Sequence, residues 1–140
     1  MAASTFDRNT LKKGPLRQIP GNVKTNEVIP IGVMTMVLTP SVGFQNAADI
    51  AGGGIVMGLS CQAVNEPLDR PPSGSARIVV ERGIFYLNNG GHITSAHVGI
   101  DACVVDNQTV DLAANTTNAI KAGKIHDVDS GGVWVDMIDR

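Results

Sequence analysis

From Val28 onward the chain alternates short apolar runs with clusters of Gly, Pro, Asn and Asp, the pattern of short strands joined by turns. Ile31 to Leu38 (IGVMTMVL) is apolar on both alternating faces, with Met34, Met36 and Leu38 on one and Val33, Thr35 and Val37 on the other. Such a strand is either central in a sheet or covered by another surface, and Pro40 ends it. A second run, Gly54 to Val64, follows Gly52-Gly53-Gly54. Asn65 to Ala76, with Pro67, Pro71, Pro72 and Gly74, reads as the exposed excursion of the body. Arg77 to Leu87 (RIVVERGIFYL) reads as one long strand with a defect. Strict alternation puts Arg82 on the face of Ile78, Val80 and Ile84, which is costly in a core. A bulge at Gly83 is therefore expected, turning Arg82 outward.

Asn88-Asn89-Gly90-Gly91 is a turn signal, and Thr94 or Ser95 is placed to cap one helical turn closed by Gly99. Ala102 to Val105 and Gln108 to Leu112 form a hairpin across Asp106-Asn107. Ala119 to Val128 and Gly132 to Ile138 form the last one, across Asp129-Ser130-Gly131. About eight short strands, with no long amphipathic helix and no internal repeat, predict an all-β fold: a jelly-roll-like β-sandwich or a small barrel.

The first 26 residues differ in kind. They are polar, broken by Gly14-Pro15 and Pro20-Gly21, and read as an extended arm that orders on a partner. The expected division is thus an arm over 1–26 and one domain over 27–140. Charge sharpens the contrast. Residues 1–24 hold Arg8, Lys12, Lys13, Arg17 and Lys24 against Asp7 alone, a net of +4, and the remainder carries −6. Nucleic acid attracts such an arm, but a single aromatic there (Phe6) and an acidic body favour an acidic protein surface as partner. The five cations are the candidate partner-binding residues. No apolar stretch approaches the roughly 18 residues of a membrane span, and the first residues lack a leader's apolar core, so neither membrane nor secretion is expected. Without secretion the patterns Asn107-Gln108-Thr109 and Asn115-Thr116-Thr117 carry no glycosylation signal. Cys61 and Cys103, in apolar runs, read as buried thiols.

Candidate chemistry is thin. His92, His97 and His126 lack metal-ligand spacing and read as surface or capping residues. Asp127 and Asp129 before Gly131-Gly132 lack the further oxygen ligands of a calcium loop. Gly58-Leu59-Ser60-Cys61-Gln62 misses the second Gly of a nucleophile elbow. Gly52 to Gly58 matches no phosphate-binding loop. Neither an enzyme nor a cofactor is expected. Trp134 shares a strand face with Asp136, opposite Val133, Val135 and Met137, and is a candidate anchor in a protein interface or a platform for a sugar. The doubly apolar Ile31 to Leu38 points to self-association, a dimer before a trimer.

Three segments then carry a family resemblance. Arg82 to Asn88 (RGIFYLN), Ala96-His97-Val98-Gly99 leading into Cys103 to Val110 (CVVDNQTV), and Ala122 to Asp129 (AGKIHDVD) with Gly132-Val133-Trp134-Val135 resemble the head decoration (cement) proteins of tailed bacteriophages in order and spacing. The resemblance covers about residues 77 to 138. It implies a compact β module on the outside of an assembled capsid, bracing joints between subunits of the major capsid protein, made in the host cytoplasm and carried on the virion. The alternative is a carbohydrate-binding β-sandwich, for example on a phage fibre.

Overall fold

A computed structural model describes residues 3–38, 43–72 and 74–138. The chain is all-β. Eleven strands are present among the described residues: β1 (Lys12–Asn22), β2 (Val28–Ile29), β3 (Met34–Val37), β4 (Phe44–Asn46), β5 (Ile55–Ser60), β6 (Val64–Asn65), β7 (Arg77–Asn89), β8 (Asp101–Asp106), β9 (Thr109–Asp111), β10 (Lys121–Asp129) and β11 (Gly132–Asp136). The count exceeds the expected eight because several strands are only two or three residues long and lie within polar sequence. A single-turn helix, α1 (Glu66–Asp69), follows β6.

The second half closes on itself. β7, β9, β8, β10 and β11 form a ring in which β11 returns to pair with β7, so five strands make a barrel. Closure removes the open edges that attract foreign strands. Phe85 and Leu87, Ala102 and Val104, Val110, Ala122 and Ile125, Val133 and Val135 belong to the barrel core; alternation places the pairs on β7, β8 and β11, whereas on β10, where the pairing shifts register, Ala122 and Ile125 are three residues apart. Met34, Met36, Val56 and Leu59 from β3 and β5 join the same cluster.

A second cluster holds Val23, Ile29, Val33, Val37, Phe44, Ile78 and Val80, of which Val37 takes the opposite face of β3 and Ile78 and Val80 the opposite face of β7. On β7, Ile78 and Val80 serve this cluster and Phe85 and Leu87 the barrel. The change of face along β7 that suggested a bulge is thus two cores on two sides of an unbroken strand. Residues 84–87 pair with β11 in continuous register, and the bulge expected at Gly83 is absent. Arg82 stays on the face of Val80, half-buried, with Nε donating to the Met57 carbonyl at 2.9 Å. The bulges sit in the neighbours. Thr35 pairs with Gly58 and Met36 with Val56, so β5 carries an extra residue at Met57. A Cβ on Gly58 would lie 2.4 Å from the Glu81 carbonyl oxygen, so glycine lets β5 and β7 approach at that point. On β1, the step from Lys13 to Arg17 faces only Ile84 to Arg82.

β3 is flanked by β4 and β5 and is buried throughout. This is the central placement that two apolar faces led to expect for Ile31 to Leu38; the faces serve the two clusters, and β3 offers no open edge on which the expected self-association could rest. Its expected end at Pro40 lies outside the described residues. The hairpin of β8 and β9 turns at Asn107-Gln108, one residue later than expected. The turn Ser95–His97 forms as expected, capped by Thr94.

The segment read as a free arm also needs correction. β1 runs antiparallel along β7 from Lys12↔Phe85 to Asn22↔Arg77 and supplies the hydrogen-bonding edge that β7 would otherwise expose. Burial of apolar surface is not what holds it, which is why a hydrophobicity argument misses it. Ahead of β1, Ser4 N donates to Asn107 Oδ1 at 2.7 Å, Arg8 N to the Ile31 carbonyl at 2.7 Å, and the Thr10 hydroxyl to the Gly32 carbonyl at 2.6 Å.

Candidate partner-binding surface

The six candidate residues part into three groups. Arg8 and Lys12 turn inward. Arg8 Nη1 donates to Thr10 Oγ1 at 2.6 Å and to the Tyr86 carbonyl at 3.0 Å, and burial lowers its pKa from the ordinary value. Lys12 Nζ pairs with Glu81, whose carboxylate is almost wholly buried. Both cations fasten β1 and the residues before it to the barrel, and neither is free for a partner.

Lys13 and Trp134 come together. Lys13 pairs with Ile84 on β7, and on the other side of β7 Trp134 pairs with Tyr86. The Trp134 and Tyr86 rings are tilted with centroids 5.0 Å apart, and Lys13 Nζ stands 4.3 Å from the centroid of the Trp134 ring. The Tyr86 hydroxyl donates to Asp129 Oδ1, which also accepts from the amides of Gly131 and Gly132 at 2.8 and 3.0 Å. These bonds lower the Asp129 pKa and raise that of Tyr86, each mainly through the bond between the two side chains. Asp129 is therefore the acceptor of a hairpin turn, and through Tyr86 it fixes the ring beneath Trp134. An aromatic pair with locked rotamers and a cation above it has the makings of an interface anchor.

Arg17 and Lys24 form no side-chain hydrogen bond or ion pair with the described residues. Arg17 stands directly opposite Arg82 across β1 and β7.

The other sequence candidates find structural employment. His97 Nδ1 accepts from the Thr94 amide at 2.9 Å, completing a capping box. His92 Nδ1 lies 2.8 Å from Asp111 Oδ2. Cys61 and Cys103 are free thiols. Burial and the nearby Glu81 charge push the Cys61 pKa up to about 11, so the thiolate is suppressed. Among the described residues no group of three His, Cys, Asp or Glu is placed to hold a metal ion.

Sequence reasoning missed two polar centres. Asn107 is buried and links the β8–β9 turn to Ser4, to Asn46 through Nδ2 at 2.9 Å, and to the Met34 amide through its carbonyl. Glu66 is inaccessible to solvent. It accepts a fork of bonds from Arg70 Nε and Nη2 at 2.9 and 2.6 Å, and one from the Asn26 amide at 2.9 Å. The Arg70 bonds, then the Asn26 amide, hold its pKa down to about 2. A Glu followed four residues later by Arg was the only signal, and this spacing is common on exposed helix surfaces.

No family model, curated protein or solved structure matches this chain.

Proposed function

We propose that this chain is a capsid decoration (cement) protein that binds the outside of an assembled phage head and stabilises contacts between major capsid protein subunits, without enzymatic activity. The observation that carries the reading is that the three segments resembling the cement family lie in and around the barrel and supply Tyr86 and Trp134 to its outer surface, with Lys13 of the basic strand above them. A rigid barrel presenting an aromatic and basic anchor suits recognition of an acidic protein surface. The jelly-roll-like kinship with that family is part of the same proposal.

Mechanism then needs no chemistry. A protein that binds only the closed shell shifts the balance towards it by its differential affinity, about 2.7 kcal/mol per site at a hundredfold excess over Kd. Heads with and without the protein, heated side by side, test this. Decorated heads are expected to release DNA at a higher temperature, and identical melting would remove the reading. The half-buried Trp134–Tyr86 pair also gives the carbohydrate-binding alternative a footing, although the Lys13 ammonium over the Trp134 ring restricts stacking of a sugar there. A glycan panel separates the two.

A further inference from the structure

The anchor of Trp134, Tyr86 and Lys13 does not stand alone on its side of the sheet. Successive residues of a strand point to opposite sides, so Arg82, Ile84 and Tyr86 leave β7 on one side. All three are half-buried, whereas Gly83 and Phe85 between them are buried. The strands flanking β7 add groups to the same side at matching positions. Lys13 stands opposite Ile84, Trp134 opposite Tyr86, and Arg17 opposite Arg82. Lys13 Nζ reaches the Trp134 ring from across β7, as groups on one shared side can. One face therefore carries an aromatic pair at one end and two guanidinium groups at the other. Arg82 and Tyr86 are separated by four steps of extended chain, about 13 Å.

Residues directly opposite in an antiparallel ladder have Cβ atoms about 5 Å apart, and like charges placed there repel. Nothing among the described residues relieves this repulsion between Arg17 and Arg82. Arg82 Nε donates to the Met57 carbonyl at 2.9 Å, which orients that guanidinium, and Arg17 makes no side-chain bond. Neither forms an ion pair with an acid among the described residues. An acid is close at hand in sequence, because Glu81 precedes Arg82. It faces the other side of β7, however, where it is buried and paired with Lys12. On the shared face Asp136 stands opposite Ile84, but its Oδ1 accepts from the Ile138 amide at 2.8 Å and it pairs with neither arginine. The fold thus holds two cations side by side at the surface and supplies no anion for them.

We infer, on the footing that Trp134, Tyr86 and Lys13 form a protein anchor, that Arg17 and Arg82 are its receptor for a carboxylate. The partner is an extended acidic protein segment that seats this carboxylate on the two arginines and an apolar side chain, four residues along, against Trp134 and Tyr86. A carboxylate can accept paired N–H bonds from a guanidinium, and between two of them it replaces repulsion across β1 and β7 by attraction. Because the groups lie in line along β7, the occupant that meets both ends is an elongated one. A nucleic-acid strand fits worse. Its phosphates recur along its whole length, and Asp129 and Asp136 adjoin the aromatic end, where an apolar side chain meets no repulsion. Arg17 then acts with opposite signs on folding and on binding. Arg17→Glu supplies the missing acid from within the chain, so it should stabilise the fold and abolish the receptor, whereas loss of a merely structural contact would lower both.

Trp134 is the only tryptophan of the chain, so its fluorescence reports directly on the aromatic end. The full chain is titrated with the peptide acetyl-Glu-Thr-Ser-Thr-Leu-amide, with the reversed order acetyl-Leu-Thr-Ser-Thr-Glu-amide, with the Gln analogue of each, and with a short oligothymidylate. One of the two acidic orders is expected to bind, and its Gln analogue to bind about tenfold more weakly or worse, as loss of a charged hydrogen-bond partner implies. Rising salt should weaken the acidic peptide alone. Arg17→Glu should bind acidic peptide and Gln analogue alike and melt above the wild type by circular dichroism. Arg17→Gln, which removes the repulsion without adding a charge, replaces it should that variant misfold. Equal binding of the acidic peptide and its analogue by the wild type overturns the inference. So do a Trp134 signal unmoved by either order, tighter binding of the oligothymidylate, and an Arg17→Glu protein that melts below the wild type. Naked heads separate this from the decoration reading. If the wild type and Arg17→Glu decorate them equally well, the receptor falls and decoration stands, whereas peptide binding as expected without decoration of heads counts against the decoration reading alone.

Discussion

The barrel and the N-terminal half of this chain are held by different forces, although β7 belongs to both. In the barrel, five strands close around inward side chains, and alternation places most of them, the exception being β10, whose pairing shifts register between Ala122 and Ile125. In the N-terminal half the apolar cluster is smaller, and polar bonds tie it together: Arg8 to the Tyr86 carbonyl, Lys12 to Glu81, Asn107 to Ser4 and Asn46, Glu66 to Arg70 and the Asn26 amide. A closed barrel needs no help at its edges, whereas β7 beyond the barrel does, and β1 provides it. The basic residues of the first segment are therefore divided between fastening the strand and facing outward.

The sharpest way to break this contrast is at the barrel centre. Phe85 is fully buried inside the barrel, and Phe85→Ala is expected to cost about 3–5 kcal/mol, the usual range for removing a core aromatic. Denaturant unfolding checks it. A loss below 1 kcal/mol would show that the barrel is not the chief source of stability. In the N-terminal half, Lys12→Ala leaves the buried Glu81 carboxylate without its cation, and a cost of about 1–3 kcal/mol is expected. Hydrogen exchange should show β1 amides loosening while those of β10 and β11 stay protected. Equal loosening of both would mean that the two halves open as one unit.

Glu66 gives a pH signature to the N-terminal half. Its folded pKa of about 2 lies below the ordinary 4.5, so the unfolded chain takes up the proton first as pH falls. The stabilisation is complete above about 4.5 and is lost as pH falls towards 2. In melts across that window the wild type should lose stability more steeply than Glu66→Gln, which begins less stable at neutral pH. Parallel pH profiles for the two would remove Glu66 from this role.

Much of the barrel was legible because its rules are local. The Thr94 cap, the Asp129-Ser130-Gly131 turn and the inward face of Val133 and Val135 each depend on neighbours in sequence. What stayed hidden depends on distant partners. The irregularity in alternation was visible at Arg82, but whether a strand bulges or serves two cores is decided by the strands beside it, and here β5 bulges at Met57 instead. The polar β1 looked unable to fold because its partner is a backbone edge 55 to 73 residues away in sequence. Of the six candidate residues, Lys13 and Trp134 meet only because both flank β7, a juxtaposition that composition cannot show.

The smallest expected effect tests the outward half of that division. Lys13 Nζ lies 4.3 Å from the centroid of the Trp134 ring, and Lys13 itself is exposed, so its attraction to the ring is screened by water. Cation–π contacts at exposed sites contribute about 0.5–1 kcal/mol, and Lys13→Gln, which keeps much of the aliphatic stem, is expected to lower stability by no more than that. Lys12, its neighbour in sequence, should cost more because its partner is buried. The pair of substitutions thus separates the two roles of the basic strand within one dipeptide. If Lys13→Gln proved as costly as Lys12→Ala, both lysines would be fasteners and the strand would have no outward face to offer. If instead it left stability nearly unchanged but weakened binding to naked heads, and more so at low salt than at high, the aromatic and basic anchor would be assigned to the capsid by its own electrostatics.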